Sequence, residues 1–290
     1  MPGQTGPMID LQRSLGELLR SKVAGEDAAE AAARIWGKPG PRWFSAADPI
    51  WRVHRDASMF VGGITALLLQ SLQPLAMAGV AGHSGYKSDP WGRLQRTSHY
   101  LAMTTFGTIP DAEAAIARVR SVHERVRGQD DRGRSYRASD PHLLKWVHLA
   151  EADSFLRAHQ AFGAATLTRE EADTYVAQAG VPARLLGVLD PPETVEELTS
   201  QLAAYRPELE ATPAAREAAR FLLFEPPLPL LARPGYGTLA AGAVSLLPPW
   251  ARSALELGVP GGLAELVGRP LGRFSVEVVR WALAGVPDGR

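Results

Sequence analysis

The chain carries seven histidines, and all of them fall between His54 and His159. Imidazole ligates iron, copper and zinc, and it titrates near neutrality. Every imidazole confined to consecutive helical patterns marks a candidate metal or haem site. Chance clustering with structural hydrogen bonds is the plainer reading and stays open beside it. His123 is the most pointed member. It follows Ile116 and Val119 and precedes Val126 at helical spacing, so it belongs to an apolar stripe. An imidazole on such a stripe needs a partner, either a core carbonyl or a metal. One helix earlier, Arg93, then Arg96 or Thr97, then Tyr100 recur at i, i+3/i+4 and i+7 and share a face. That cationic, hydroxyl-bearing stripe either meets solvent or lines a polar pocket. One helix later, Leu144, Val147 or His148, Glu151 and Phe155 mark one face. His148 is thus a second ligand candidate. Tyr100 and Trp146 frame a flat ring or are plain core. Gly62-Gly63 costs its helix about 1 kcal/mol per glycine against alanine, and it admits either a flat ligand or a close-packed helix.

Other chemistries are poor matches. The chain has no cysteine, which removes disulfides, thiolate catalysis, iron–sulfur clusters and Cys-type zinc sites. His123-Glu124 is followed by Arg127 where the His-Glu-x-x-His zinc motif needs its second histidine. No glutamate has a histidine three residues later, so the di-iron bundle pattern is absent. The nucleophile elbow, the phosphate loop and the dinucleotide fingerprint are missing too. Formal net charge is zero, which gives no electrostatic case for nucleic acid. What survives is a helical pocket with one buried imidazole and nearby polar donors, a set that suits haem.

The elements that must position these residues read as helices throughout. With 290 residues, 46% of them apolar and 21% charged, the chain has the length and profile for a full core. Residues 9–23 and 27–36 form a two-helix arm that ends in the 37–41 Gly/Pro run, so residues 1–44 stand ahead of a main domain at 45–260. Residues 261–290 hold a closing helix, read from Phe274, that packs on that domain. Ser45 to Leu72 is one long helical pattern opened by Asp48-Pro49, and Pro74 restarts the chain. Asp89-Pro90 opens a helix to Phe106. Pro110-Asp111 opens the His123 helix, 112–127. A charged loop spans 128–134, and Ser139-Asp140-Pro141 caps a helix to Phe162. Thr168 to Glu171 is a capping box for a helix to Ala179. Short helices follow at 183–189, 195–205, 213–224, 236–247 and 250–257. No segment shows strand alternation flanked by hairpin turns. The fold class is all-α, about ten or more helices around a haem-sized pocket. The start lacks the basic-then-apolar order of a signal peptide, and no long uncharged apolar run occurs. The expectation is a cytoplasmic, bacterial-type protein without stable membrane insertion. Residues 59–80 read as a buried helix pair, His99 and His159 as surface positions, and His54 and His142 have no assigned place.

In order along the chain stand Gly62-Gly63 with Leu67-Leu68-Leu69-Gln70, His83-Ser84, Arg93-Leu94-x-x-Thr97, Phe106-Gly107 and Val122-His123. Tyr136-x-Ala138-x-Asp140-Pro141, Trp146-Val147-His148 and Leu246-Leu247-Pro248-Pro249-Trp250-Ala251-Arg252 follow. This order resembles the family that groups latex-clearing (rubber) oxygenases, the fungal oxygenase MpaB and many actinobacterial proteins. The likeness runs over roughly residues 45–260. It implies an all-α oxygenase that binds haem b (iron protoporphyrin IX) and acts with dioxygen. His123 would be the proximal iron ligand. Arg93, Arg96 and Thr97 would face the haem on its catalytic side. Gly62, Gly63, Tyr100, Trp146 and His148 would border the cofactor. Two departures stand out. Arg96 replaces a lysine of the rubber oxygenases, and arginine neither deprotonates nor matches an ammonium in shape. The stretch 72–80, where those enzymes carry an acidic residue, has no carboxylate.

The expected function is a haem-dependent oxygenase acting on an apolar, isoprenoid or lipid-like small molecule with dioxygen. The alternative is a non-catalytic haem or apolar-ligand carrier of the same fold. A third reading is a self-associating helical scaffold, with the N-terminal arm and Ala240 to Ala243 as contacts.

Overall fold

Proline stands in the first turn of many of the helices, and at four of them a side-chain cap precedes it. The computed structural model describes residues 7–25, 28–258 and 261–286. Helices α1 (Pro7–Ala24), α2 (Ala28–Trp36), α3 (Pro49–Arg55), α4 (Met59–Gln70) and α5 (Pro74–His83) lead. The hairpin of α6 (Pro90–Phe106) and α7 (Ile109–Arg125) follows, then strands β1 (Arg127–Gln129) and β2 (Ser135–Arg137). Next come α8 (Pro141–Phe162), α9 (Arg169–Leu186), α10 (Val195–Ala204), α11 (Pro213–Phe224), α12 (Arg233–Leu246), α13 (Pro249–Ala254) and α14 (Gly261–Ala284). At α5, α6, α8 and α11 the residue before the proline accepts a first-turn N–H: Gln73 from Ala76, Asp89 from Gly92, Asp140 from His142 and Thr212 from Ala215. Proline removes a donor that would be orphaned there, and the cap satisfies another. The Thr168 to Glu171 capping box forms at α9 with both of its hydrogen bonds.

The core is built on α4 against α8. Val61, Ile64, Leu68 and Leu69 from one meet Trp146, Leu149, Phe155 and Leu156 from the other. Trp146 Nε1 donates to the carbonyl of Gln70 at 3.1 Å. Gly62 lets the backbones close in: a Cβ there would lie 2.9 Å from Phe155 Cδ1 and 3.2 Å from Ala158 Cβ. A second close crossing joins α12 to α14, where a Cβ on Gly242 would come 2.7 Å from Gly272 Cα. The N-terminal helix α1 packs on α14 and α6, and α3 and α9 pack on the inner helices.

The all-α expectation holds, with corrections in detail. The 45–72 pattern is two helices, split where the Asp56 carboxylate accepts from Ser58 N and Ala164 N and pairs with Arg280. A side chain that competes for backbone donors ends a helix that periodicity alone would continue. The charged loop 128–134 is the tip of a small hairpin in which Arg127 pairs with Arg137 and Gln129 with Ser135. Gly133 (φ +74°) and the Asp130 carboxylate turn the chain there. The 169–179 and 183–189 patterns are one helix, α9, running through Pro182. Gly187 (φ +118°) ends it, its N–H bonding Ala183 and Arg184 carbonyls, so the left-handed glycine decides the terminus and not the proline. The last helix begins at Gly261, not Phe274. It runs through Pro270, on either side of which Gly268 and Gly272 pack closely on α12.

Among the described residues no single helix is long and apolar enough to cross a membrane. The apolar α4–α5 pair is bent by 109° at its break, and most of α4 is buried in the core.

Candidate functional site

The α6–α7 hairpin sets the level of the principal residues. Counting from its 107–108 turn, Arg93 lies 14 residues before Gly107 and His123 lies 15 after Thr108, so the two stand within about one residue of the same level. His99 senses the charge of Arg118, which is the same register nearer the turn. His123 sits in the last turn of α7 and is half-buried. Of the stripe it was assigned to, Ile116 is buried, while Val119 and Val126 are half-buried. Val122, at 43% exposure, lies outside. Burial lowers the His123 pKa, so the ring is held neutral, the form that ligates a metal. Its Nδ1 is buried with no hydrogen-bond partner. Among the described residues its Nε2 has none either, and it is not among the closed-over atoms, so it is accessible.

The α6 stripe splits. Arg93 is half-buried, donates to Ser84 Oγ at 3.2 Å, and has its pKa lowered first by desolvation. Tyr100 is half-buried and desolvated, and burial raises its pKa. Arg96 points away: it is exposed and pairs at 3.1 Å with Asp89, the helix cap. Thr97 is exposed too, its hydroxyl donating to the Arg93 carbonyl. In this conformation neither Arg96 nor Thr97 meets the interior.

On α8 the face read from sequence is present, with Glu151 as its centre. Burial alone pushes the Glu151 carboxyl up to about 7. Yet the side chain keeps accessible surface. Among the described residues neither of its oxygens has a hydrogen bond or ion pair, and neither is fully closed over. A carboxyl deep in the body that still keeps accessible surface is reached by an opening at least a water molecule wide. Tyr100 from α6 and Tyr175 from α9 both feel its charge. One turn away, His148 is buried with Nε2 unpaired, and burial, then Arg184 and Lys145, lower it to about 4. Tyr100 and Glu151 therefore lie within electrostatic reach of each other, His148 is closed over beside them on α8, and His123 and Arg93 belong to the adjoining hairpin.

Three expected cofactor neighbours sit elsewhere or differ in kind. Trp146 is fully enclosed, its ring 5.3 Å from Tyr205, so it has no face left for a ligand and serves the core. Gly62 is filled by α8 and serves packing. Gly63 has nothing within 4 Å of its Cβ position and remains an open spot.

Sequence reasoning missed a buried polar cluster. His54 Nδ1 lies 2.8 Å from Thr105 Oγ1, and its ring sits edge-on to Phe155 and Tyr175. Burial, with a smaller push from His159, lowers His54 to about 3. The signal was present: His54 lies four residues after buried Ile50. His159, expected at the surface, is 3% exposed with both ring nitrogens unpaired. It folds back over the end of α8, where a Cβ on Gly163 would lie 2.1 Å from its Nδ1. His142 bonds Glu208 and stacks on Tyr205. His83 and His99 are exposed.

Among the described residues no three His, Asp or Glu side chains converge as a metal-ion site. A shallow groove of about 300 Å³ lies along α7 between Glu113, Ile116, Arg120, Glu124 and Leu185; it does not include His123.

The family model described as ER-bound oxygenase mpaB/B'/rubber oxygenase, catalytic domain, matches residues 51–281. That span runs from α3 almost to the end of α14 and contains every candidate residue above. No curated protein and no solved structure matches the chain.

Proposed function

The chain belongs to the mpaB and rubber oxygenase catalytic-domain family, and from that premise we propose that it is a haem b-dependent oxygenase acting on a largely apolar small molecule with dioxygen. The observation that carries the cofactor assignment is His123: a neutral imidazole with an open, unpaired Nε2. With no three-ligand cluster among the described residues, a single imidazole suits a cofactor that brings its own equatorial nitrogens, as haem does. When bound, the haem supplies the redox chemistry with dioxygen.

The chain's own residues have separate tasks. His123 holds the cofactor on one side. Its Nδ1 lacks the carbonyl or carboxylate that usually orients such a ring, a departure that weakens its donor strength. Arg93, level with His123 and half-desolvated, is placed to meet a carboxylate such as a propionate. Tyr100 offers a hydroxyl donor from the same helix. Arg96 joins this set only if it leaves Asp89.

The test is dioxygen consumption by haem-loaded protein with isoprenoid or lipid-like substrates. Uptake that requires both haem and substrate supports the proposal. Haem-loaded protein that never consumes dioxygen supports the second reading, a carrier of the same fold. The exposed Arg96–Asp89 pair and the carboxylate-free stretch 72–80 favour that second reading.

A further inference from the structure

Glu151 is unexplained by the reading so far. It comes from α8, not from the upstream segment where the rubber oxygenases carry an acid. Among the described residues its oxygens have no hydrogen bond or ion pair, and the residue keeps accessible surface. Tyr100 from α6 and Tyr175 from α9 lie within its electrostatic reach, and His148 with its unpaired Nε2 is one turn away on α8. From α3, His54 approaches the same region with Nε2 at 3.5 Å from the Tyr175 hydroxyl, too long for a good bond. Helix α4, packed across α8, has no ionisable side chain at all. Among the described residues no cation pairs with this carboxyl and no donor satisfies it.

We infer that Glu151 makes this pocket select an apolar molecule bearing a hydroxyl or N–H group over a plain hydrocarbon of the same skeleton. The inference rests on the proposed function for the pocket being a substrate site. A hydrocarbon filling the space would strip water from the carboxyl and offer nothing back. One buried polar group left unpaired lowers affinity roughly tenfold to a hundredfold. A hydroxyl gives and accepts hydrogen bonds, so it serves Glu151 in either protonation state and leaves a second bond for Tyr100. Sites that pair with a substrate hydroxyl reject the analogue lacking it far more strongly than apolar pockets reject an added methylene.

The experiment titrates the full-length, haem-free protein with a sesquiterpene alcohol and with the sesquiterpene hydrocarbon of the same skeleton, read by tryptophan fluorescence. The alcohol is expected to bind at least about tenfold tighter. Glu151→Leu should abolish or invert that preference, while Glu151→Gln, whose amide still pairs with a hydroxyl, should keep most of it. Equal affinities in the unmodified protein, no binding of either ligand, or an unchanged preference in Glu151→Leu overturns the inference. Haem loading of the same samples, read by absorbance, separates the two ideas. Preference without haem uptake overturns the proposed cofactor and leaves the Glu151 inference standing. Haem uptake without preference does the reverse.

Discussion

Two adjacent glycines in α4 give a prediction with opposite signs. In a helix, glycine to alanine gains about 1 kcal/mol from backbone entropy. At Gly63 the new methyl meets nothing within 4 Å, so the gain is realised: Gly63→Ala should stabilise by about 0.5–1 kcal/mol. At Gly62 the methyl would stand 2.9 Å from Phe155 Cδ1, 3.2 Å from Ala158 Cβ and 3.3 Å from Phe155 Cα. Favourable carbon contacts lie near 3.5–4.0 Å, so α4 and α8 must part or Phe155 must turn. Overpacking of this kind costs about 1–3 kcal/mol. Against the same helix gain, Gly62→Ala should destabilise by roughly 1 kcal/mol. The two neighbours should then differ by about 2 kcal/mol. Denaturant unfolding measures this as midpoints moving in opposite directions with unchanged slopes. A stabilised Gly62→Ala, or a destabilised Gly63→Ala, would refute the packing argument for this crossing.

Two pH effects follow from buried groups. Glu151 stays protonated in the fold up to about 7, against an ordinary 4.5. The unfolded chain releases that proton first, so stability falls as pH rises from 4.5 to 7 and is flat beyond. The loss is about 3 kcal/mol. Unfolding of Glu151→Gln against the unmodified protein should show no such slope in the variant; parallel curves across that window would contradict the desolvation. His54 behaves in the opposite sense. It is held neutral down to about 3, whereas the unfolded chain takes up a proton below 6.5. Stability is therefore lost as pH falls from 6.5 toward 3, on the order of 4 kcal/mol, and ring-proton titration by NMR that finds His54 protonating near 6.5 would disprove it.

Much of the fold was legible because its start signals are local. Asp89-Pro90, Asp140-Pro141 and the Thr168 to Glu171 box each fix a helix start within a few residues, and each formed. The errors came where tertiary contacts decide. The Asp56 break depends on Ala164 and Arg280, more than a hundred residues away. Pro270 lies inside α14, in the stretch where Gly268 and Gly272 pack on α12, a helix more than twenty residues earlier. The site divides in the same way. Helical spacing placed Arg93, Tyr100, His148 and Glu151 on inward faces, since a period of 3.6 fixes a face. It could not tell which end of a stripe leaves the core, so Arg96 and Thr97 were grouped with Arg93 although both emerge at the surface. Nor does spacing show that Trp146 spends its ring on Tyr205, or that His54 finds Thr105 on another helix.

A haem titration of the purified protein tests the central assignment most directly, with His123→Ala and His148→Ala beside it. One equivalent should bind with a Soret band, His123→Ala should lose or shift that band, and His148→Ala should retain it. No uptake at all, or a band that survives His123→Ala and vanishes in His148→Ala, would contradict the account.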